Sequence, residues 1–304
     1  MQLVSRVVLS DAEVSKRARR LAALIEPVVG QVYFSPECHS EYEALGFSAS
    51  PGEGGGVALP DGPAYFTSRG SILGQAPGQL VASAFAVFNP EIVVPCVEMG
   101  WSLTDAKTIA DARTRGAVAQ LVRILGENPD GLERVSELLA RAAAPLRPEG
   151  RPLYAGLLAL GLPGTPWGDL WRYGDRLREY RGDAHTAAWT SAGFDATEIG
   201  LLTEQFWGVA PRTYVRTRAW SDAQLDAAEE RLVARGLLAD GLFTDKGREV
   251  REAIEFDTDM QMRPTIEALD DDAEELFKII EPWGAAIREA GGYLKGPDQL
   301  TGRR

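Results

Sequence analysis

Apolar residues recur three or four positions apart along most of the chain, and residues of helix-capping type interrupt them at short intervals. That spacing predicts a succession of helices, because a helix returns side chains to one face about every 3.6 residues. Ser10 and Glu13 make a capping-box-like start to a helix through Arg20, Leu21 and Ile25, which Pro27 and Gly30 end or kink. A second short helix is expected between Tyr33 and Phe47, with Ser40 to Leu45 as its body. Ser48 to Gly62 is rich in glycine with proline at both ends and reads as a loop, and Tyr65 to Gly70 as a brief turn or extended piece. Pro77 to Phe88 is helical, and Asn89-Pro90 opens another helix, interrupted near Pro95. Asp105 caps a long helix to Gly126 with Ile109, Ala110 and Leu121 facing inward. Helices over 130–145 and 150–161 follow, and a divide near Leu146 to Pro152 or Pro163 to Pro166 splits the chain into halves 1–150 and 151–304.

The second half has a more distinctive order. A helix over Ala184 to Ala192 precedes one capped by Asp195 and Glu198 and closed by Gly208. A third starts at Ser221-Asp222 and stops at Gly236. Leu237 to Thr244 then form a minimal hairpin with Asp240-Gly241 at its tip. Thr244 caps a long helix through Arg251, Ile254 and Glu255, and two helical pieces, 264–269 and 273–290, end the chain. The fold class is mainly α, with a helical N-terminal half and a helical C-terminal half carrying one small β element.

Thr165 to Gly193 concentrates charge, tryptophan and His185, one of two histidines in the chain. On a helix at about 100° per residue, Trp171, Arg178, Arg181, His185 and Trp189 fall within a band about 80° wide. Leu170, Tyr173, Leu177, Tyr180, Ala184 and Ala188 gather on an adjoining apolar face, expected to pack inward. Arg172, Asp175, Arg176, Glu179 and Asp183 lie opposite, toward water. The band therefore follows the border of core and solvent, where pocket walls form. Gly182 is its weak point, and Asp183 can alternatively cap a new helix at Ala184, which would split the band.

Composition narrows the functional classes. A hydrophobic fraction of 45% is ordinary for a globular protein. No stretch is apolar for long enough to span a bilayer and no secretory leader is legible, so a cytoplasmic protein is expected. Cys38 and Cys96 suggest no disulfide framework. The net charge of −12 argues against broad phosphate binding, although a local basic patch would suffice for DNA.

The order helix, helix, helix, Asp-Gly hairpin, then Phe243-Thr244-Asp245-Lys246-Gly247 opening a long helix resembles the winged-helix domain of MarR-type proteins. Leu232, Gly236, Leu237 and the wing Asp240-Gly241 carry the match. More specifically, the chain resembles an actinobacterial helix-turn-helix family of about 300 residues. Tyr65-Phe66 with Arg69, Phe88-Asn89-Pro90, Gly150-Arg151-Pro152-Leu153, and Arg181-Gly182-Asp183-Ala184-His185 carry that likeness, with Ile254-Glu255 and Thr258-Asp259. The resemblance implies architecture and no assured activity. At the reading element it departs from a DNA binder. The third helix carries Asp222, Asp226, Glu229 and Glu230 against Arg231 and Arg235, and the wing has no arginine. Arg212, Arg216 and Arg218, just before that helix, are the basic cluster nearby.

Three functions follow as expectations. The leading one is a binding protein for a small, aromatic metabolite, serving sequestration, sensing or resistance on a winged-helix scaffold that has lost DNA readout. Its ligand site is drawn from Arg69, Tyr65, Trp171, Arg178, Arg181 and Trp189, with Trp167 nearby; the arginines suit a carboxylate or phosphate. The second is a natural-product pathway enzyme with His185 as acid or base, Asp183 or a carboxylate of Glu255 or Asp259 orienting it, and arginines stabilising negative charge. The third is a MarR-like regulator, dimeric through its terminal helices. The bland alternative is that His185 and the arginines serve structure through Glu179 and Asp183. No cofactor is expected, and Cys38-His39 lacks any metal-ligand spacing, so no metal is expected either. The acidic group Glu252, Glu255, Asp257 and Asp259 reads as a solvated face from which one member can reach a central arginine.

Overall fold

The computed structural model describes residues 9–296; residues 1–8, where a leader would begin, and 297–304 lie outside them. Most of the expected boundaries follow from their caps. Ser10 and Glu13 close a capping box on α1 (Asp11–Gly30), which runs through Pro27. Ser35 accepts from the Cys38 amide and Pro36 occupies the first turn of α2 (Pro36–Glu43), so this helix begins four residues before its expected body. Residues 48–62 are not wholly loop: β1 (Glu53–Gly54) and β2 (Val57–Ala58) pair there as an antiparallel hairpin. The expected turn at Tyr65 to Gly70 is instead α3 (Gly62–Gly70), nucleated by Asp61 accepting from the Ala64 amide.

After α4 (Gly78–Phe85), α5 (Pro90–Leu103) continues past Pro95. Glu91 and Pro95 both lie on its exposed side, where water can serve the carbonyl that proline leaves without a donor. Asp105 caps α6 (Ala106–Leu125), and α7 (Leu132–Ala143) and α8 (Pro152–Leu160) follow. Helix α9 (Pro166–Ser191) is unbroken at Gly182, and its 26 residues span about 39 Å. Beyond it come α10 (Ala196–Trp207) and α11 (Asp222–Ala234), each opened by a capping box. The strands β3 (Leu238–Ala239) and β4 (Leu242–Phe243) turn at Asp240 and Gly241, both with positive φ as the two-residue hairpin requires. Thr244 caps α12 (Asp245–Gln261); α13 (Arg263–Leu269) and α14 (Ala273–Glu289) complete the chain.

Three buried clusters hold these elements together. The largest draws on α1, α2, α6, α7, most of α9, α13 and α14, and so takes members from both sides of residue 150. A second joins Ala188 and Trp189 at the end of α9 to α10, α11, β3 and Ile254 of α12. A third packs α3, α4 and α5 against Leu153 and Leu157 of α8. Helix α9 packs against α1, α6, α7, α8 and α12.

That enclosure overturns one expectation. Arg172, Asp175, Glu179 and Asp183 do not face water; all four are buried. A periodicity argument assigns the more polar face to solvent, but α9 has neighbours on that side too. For Asp175 and Glu179 the cost of burying charge is met by pairing, as between Arg113 and Asp175 at 2.8 Å, with the Arg113 guanidinium also 4.8 Å above the Trp171 ring.

Candidate functional site

A cleft of about 220 Å³ lies between α1 and α9, beside His185. Its apolar wall is Ala18, Leu21, Ala22 and Ile25 from α1, Leu177 from α9, and Met262. The α1 residues are spaced three and four apart, so one helical face presents them together, and the two alanines leave the space that larger side chains would fill. Gly182 adds to that space on the facing helix, as its missing side chain leaves nothing nearer than a Glu179 oxygen at 3.5 Å.

One end of the cleft is a buried ion network. Arg69 donates to both oxygens of Glu179, at 3.2 and 3.1 Å, and its guanidinium lies 4.5 Å over the Phe85 ring. Arg178 donates to Glu26 at 3.0 Å, to Glu179 at 2.8 Å and to the Tyr33 hydroxyl at 3.1 Å. Burial alone would push the Glu179 carboxyl up, but Arg69 and Arg178 outweigh it and hold the group at about 2. Tyr33 moves the other way, to about 12, because it is buried.

At the opposite end Arg181 and His185 line the cleft and are held by side chains of α12. Arg181 pairs with Glu255 and donates to Asp259 at 3.0 Å. Asp259 also accepts from Arg19 at 2.6 Å and from the Ser15 hydroxyl at 2.7 Å, and Glu255 accepts from Arg251 at 2.8 Å. The acidic group of α12 is thus not a solvated face throughout: Glu255 and Asp259 are buried partners of arginines. Burial opposes ionisation of Glu255, yet Arg181 and Arg251 keep its carboxyl at about 2. His185 contacts this end through Nδ1, 3.0 Å from the Thr258 hydroxyl oxygen. Burial, reinforced by the Arg251 guanidinium, draws its imidazole down to about 4, so it is neutral at pH 7.

Of the residues expected to form a site, Arg69, Arg178, Arg181 and His185 come together around this one cleft. Four others do not line it. Asp183 lies two residues before His185, about 200° around the helix, and its carboxylate accepts from the Tyr154 amide at 3.0 Å at the start of α8. Burial raises that carboxyl to about 7 despite this bond, but no His185–Asp183 dyad forms. Tyr65 stands behind Arg69, accepting from it at 3.4 Å and meeting the Tyr33 ring at a tilt and the Phe66 ring edge-on. Trp171 is fully buried in the largest core and donates to the Val29 carbonyl at 3.2 Å. Trp189 belongs to the second core, and Trp167 packs on Trp283. Large aromatic rings follow the deepest burial available, which in a helix enclosed by five others is core and not rim.

The arginines also differ from the expected anion clamp, since each is already paired with at least one carboxylate. Glu26 and the α1 wall went unrecognised. The Ala18-Leu21-Ala22-Ile25 stripe was legible as an inward face, but nothing in it indicates which helix it meets.

The α10–α12 unit has its own electrostatics. Arg212 pairs with Asp226 and Glu229 and Arg216 with Asp222, each at 2.6 Å. Arg218 lies over the rings of Phe88 and Tyr214. Arg231 turns back to Asp195 and Glu198 of α10. Two of the three arginines before α11, Arg212 and Arg216, are therefore paired with acidic side chains of α11 itself. The approach to α11 is also tethered: the Asn89 amide donates to the Arg218 carbonyl at 2.9 Å, and Trp220 donates to the Val87 carbonyl at 2.9 Å.

The described residues are mainly helical, with two short hairpins. The chain belongs to a helix-turn-helix family, matched over residues 18–294. No curated protein and no solved structure matches it. No helix among the described residues is long and apolar enough to cross a membrane.

Proposed function

We propose that this helix-turn-helix protein binds a small one-ring molecule in the α1/α9 cleft and acts in sequestration, sensing or resistance. Its scaffold on this reading is a MarR-like winged helix, β3–β4 forming the wing, whose reading surface has lost its grip on DNA. The observation that carries the proposal is the void of about 220 Å³, apolar on the α1 side and polar at both ends. A dry apolar cavity of about 150 Å³ holds benzene, so this space suits one ring with one or two substituents. The enzyme reading is less well supported. A histidine near 4 is a weak base at neutral pH, and Asp183 is occupied at α8.

Thermal unfolding in the presence of toluene, phenol, aniline and benzoate tests the ligand reading. At least one is expected to raise the midpoint. Ala22→Phe, which fills the cleft from α1, is expected to weaken that ligand by at least about tenfold, as steric exclusion removes most of the burial. No response to any probe would remove the proposal. Family membership favours regulation by DNA binding as the second reading, and a salt series with duplex DNA separates the two. With Arg212 and Arg216 paired internally, the expected log–log slope of affinity against salt is near zero; a steep negative slope supports the regulator.

A further inference from the structure

The side chain of Thr258 has one proton to give. Its hydroxyl lies 2.8 Å from the Ile254 carbonyl, one turn back along α12, and that oxygen can only accept. With the proton spent there, the Thr258 oxygen meets His185 Nδ1 at 3.0 Å as an acceptor, so Nδ1 carries the imidazole proton. Nε2 is then a lone pair. It has no partner among the described residues, and His185 lines the cleft. Burial and the Arg251 and Arg181 guanidiniums, against the opposing Glu255 carboxylate, keep the ring neutral.

The guanidiniums that line the cleft are each balanced by protein carboxylates, although Arg181 Nε is buried without a partner. Arg69 is held by Glu179, Arg178 by Glu26 and Glu179, and Arg181 by Glu255 and Asp259. A ligand carboxylate beside them would have to share a guanidinium with a protein carboxylate and would meet that carboxylate's like charge at short range.

We infer that the cleft selects an uncharged ligand bearing one hydroxyl or N–H donor, a phenol in preference to a benzoate, which His185 Nε2 accepts. The inference rests on the ligand-binding reading above and adds the polarity of the ligand. It reverses the anion preference that the arginines suggest from sequence.

Two measurements on the full chain test it. Long-range proton–nitrogen correlation on protein labelled at its two histidines, with His39→Gln for assignment, is expected to place the proton of His185 on Nδ1. Phenol is then expected to shift the Nε2 signal while toluene leaves it in place. Calorimetric titration is expected to show phenol binding about tenfold more tightly than toluene or benzoate, the worth of one hydrogen bond. His185→Phe should abolish that preference and His185→Gln, which keeps an acceptor oxygen, should retain part of it. A proton found on Nε2 overturns the inference without any substitution at His185. Equal binding of the three probes overturns it while leaving the cleft a ligand site, whereas binding of none removes both readings.

Discussion

Replacing Glu179 by alanine should destabilise the protein by about 3–5 kcal/mol, the range for breaking a buried ion pair from one side. Glu179 is 1% exposed and stands between Arg69 and Arg178. Its removal leaves two guanidiniums facing each other across a space that water reaches poorly, and deprives the Tyr33 hydroxyl of a neighbour. An exposed pair provides the contrast: Arg134 and Glu275 lie 2.7 Å apart in solvent, where truncation should leave stability nearly unchanged. Urea unfolding at constant slope measures both. A loss under about 1 kcal/mol for Glu179→Ala would mean that the network adds little beyond its desolvation cost. The sign of the pH effect follows from the lowered Glu179 carboxyl. Its contribution is present above the ordinary carboxylate range and is lost as pH falls toward 2.

The second large effect belongs to His185. Its imidazole sits at about 4 in the folded chain and near 6.5 when unfolded, so between those values the unfolded chain takes the proton first. Stability from this residue is complete above about pH 6.5 and falls as pH drops, reaching a loss of roughly 3 kcal/mol near pH 4. Asp183 acts in the opposite sense across part of the same window. Its raised carboxyl contributes stability that is present at low pH and lost as pH rises through about 7. The wild-type profile alone therefore mixes the two. The difference between wild type and His185→Gln isolates the histidine, and that difference should grow steadily from pH 6.5 to pH 4. Parallel profiles for the two proteins would show that the ring is not held neutral by its surroundings.

Helix identity was legible because caps and turns are local. Ser10 with Glu13, Asp105, Asp195 with Glu198, Ser221 and Thr244 each satisfy amides within three residues of themselves, so their meaning does not depend on the rest of the fold. The same holds for Asp240-Gly241, whose positive φ values a two-residue turn demands. Where proline or glycine was read as an interruption, at Pro95 and Gly182, the rule overreached. A neighbour-packed helix absorbs a defect that would end an isolated one.

The face of α9 was only partly legible. Leu170, Leu177, Tyr180 and Ala184 are buried as their spacing requires, because an apolar stripe has to meet something. The burial of Asp175 and Glu179 was not readable, since a charged residue goes inside only when partners from distant elements are present. Those partners, Arg113 on α6 and Arg69 on α3, lie 62 and 110 positions away. By itself, then, the sequence determined the helical class, the hairpin, the acidic character of α11 and the common border face of Arg178, Arg181 and His185. Only the tertiary structure decided that Trp171 and Trp189 are core, that Asp183 serves α8, and that α1 supplies the wall of the cleft. Capping and periodicity are encoded within a few residues. A void and its charge balance exist only once several helices have taken their places around it.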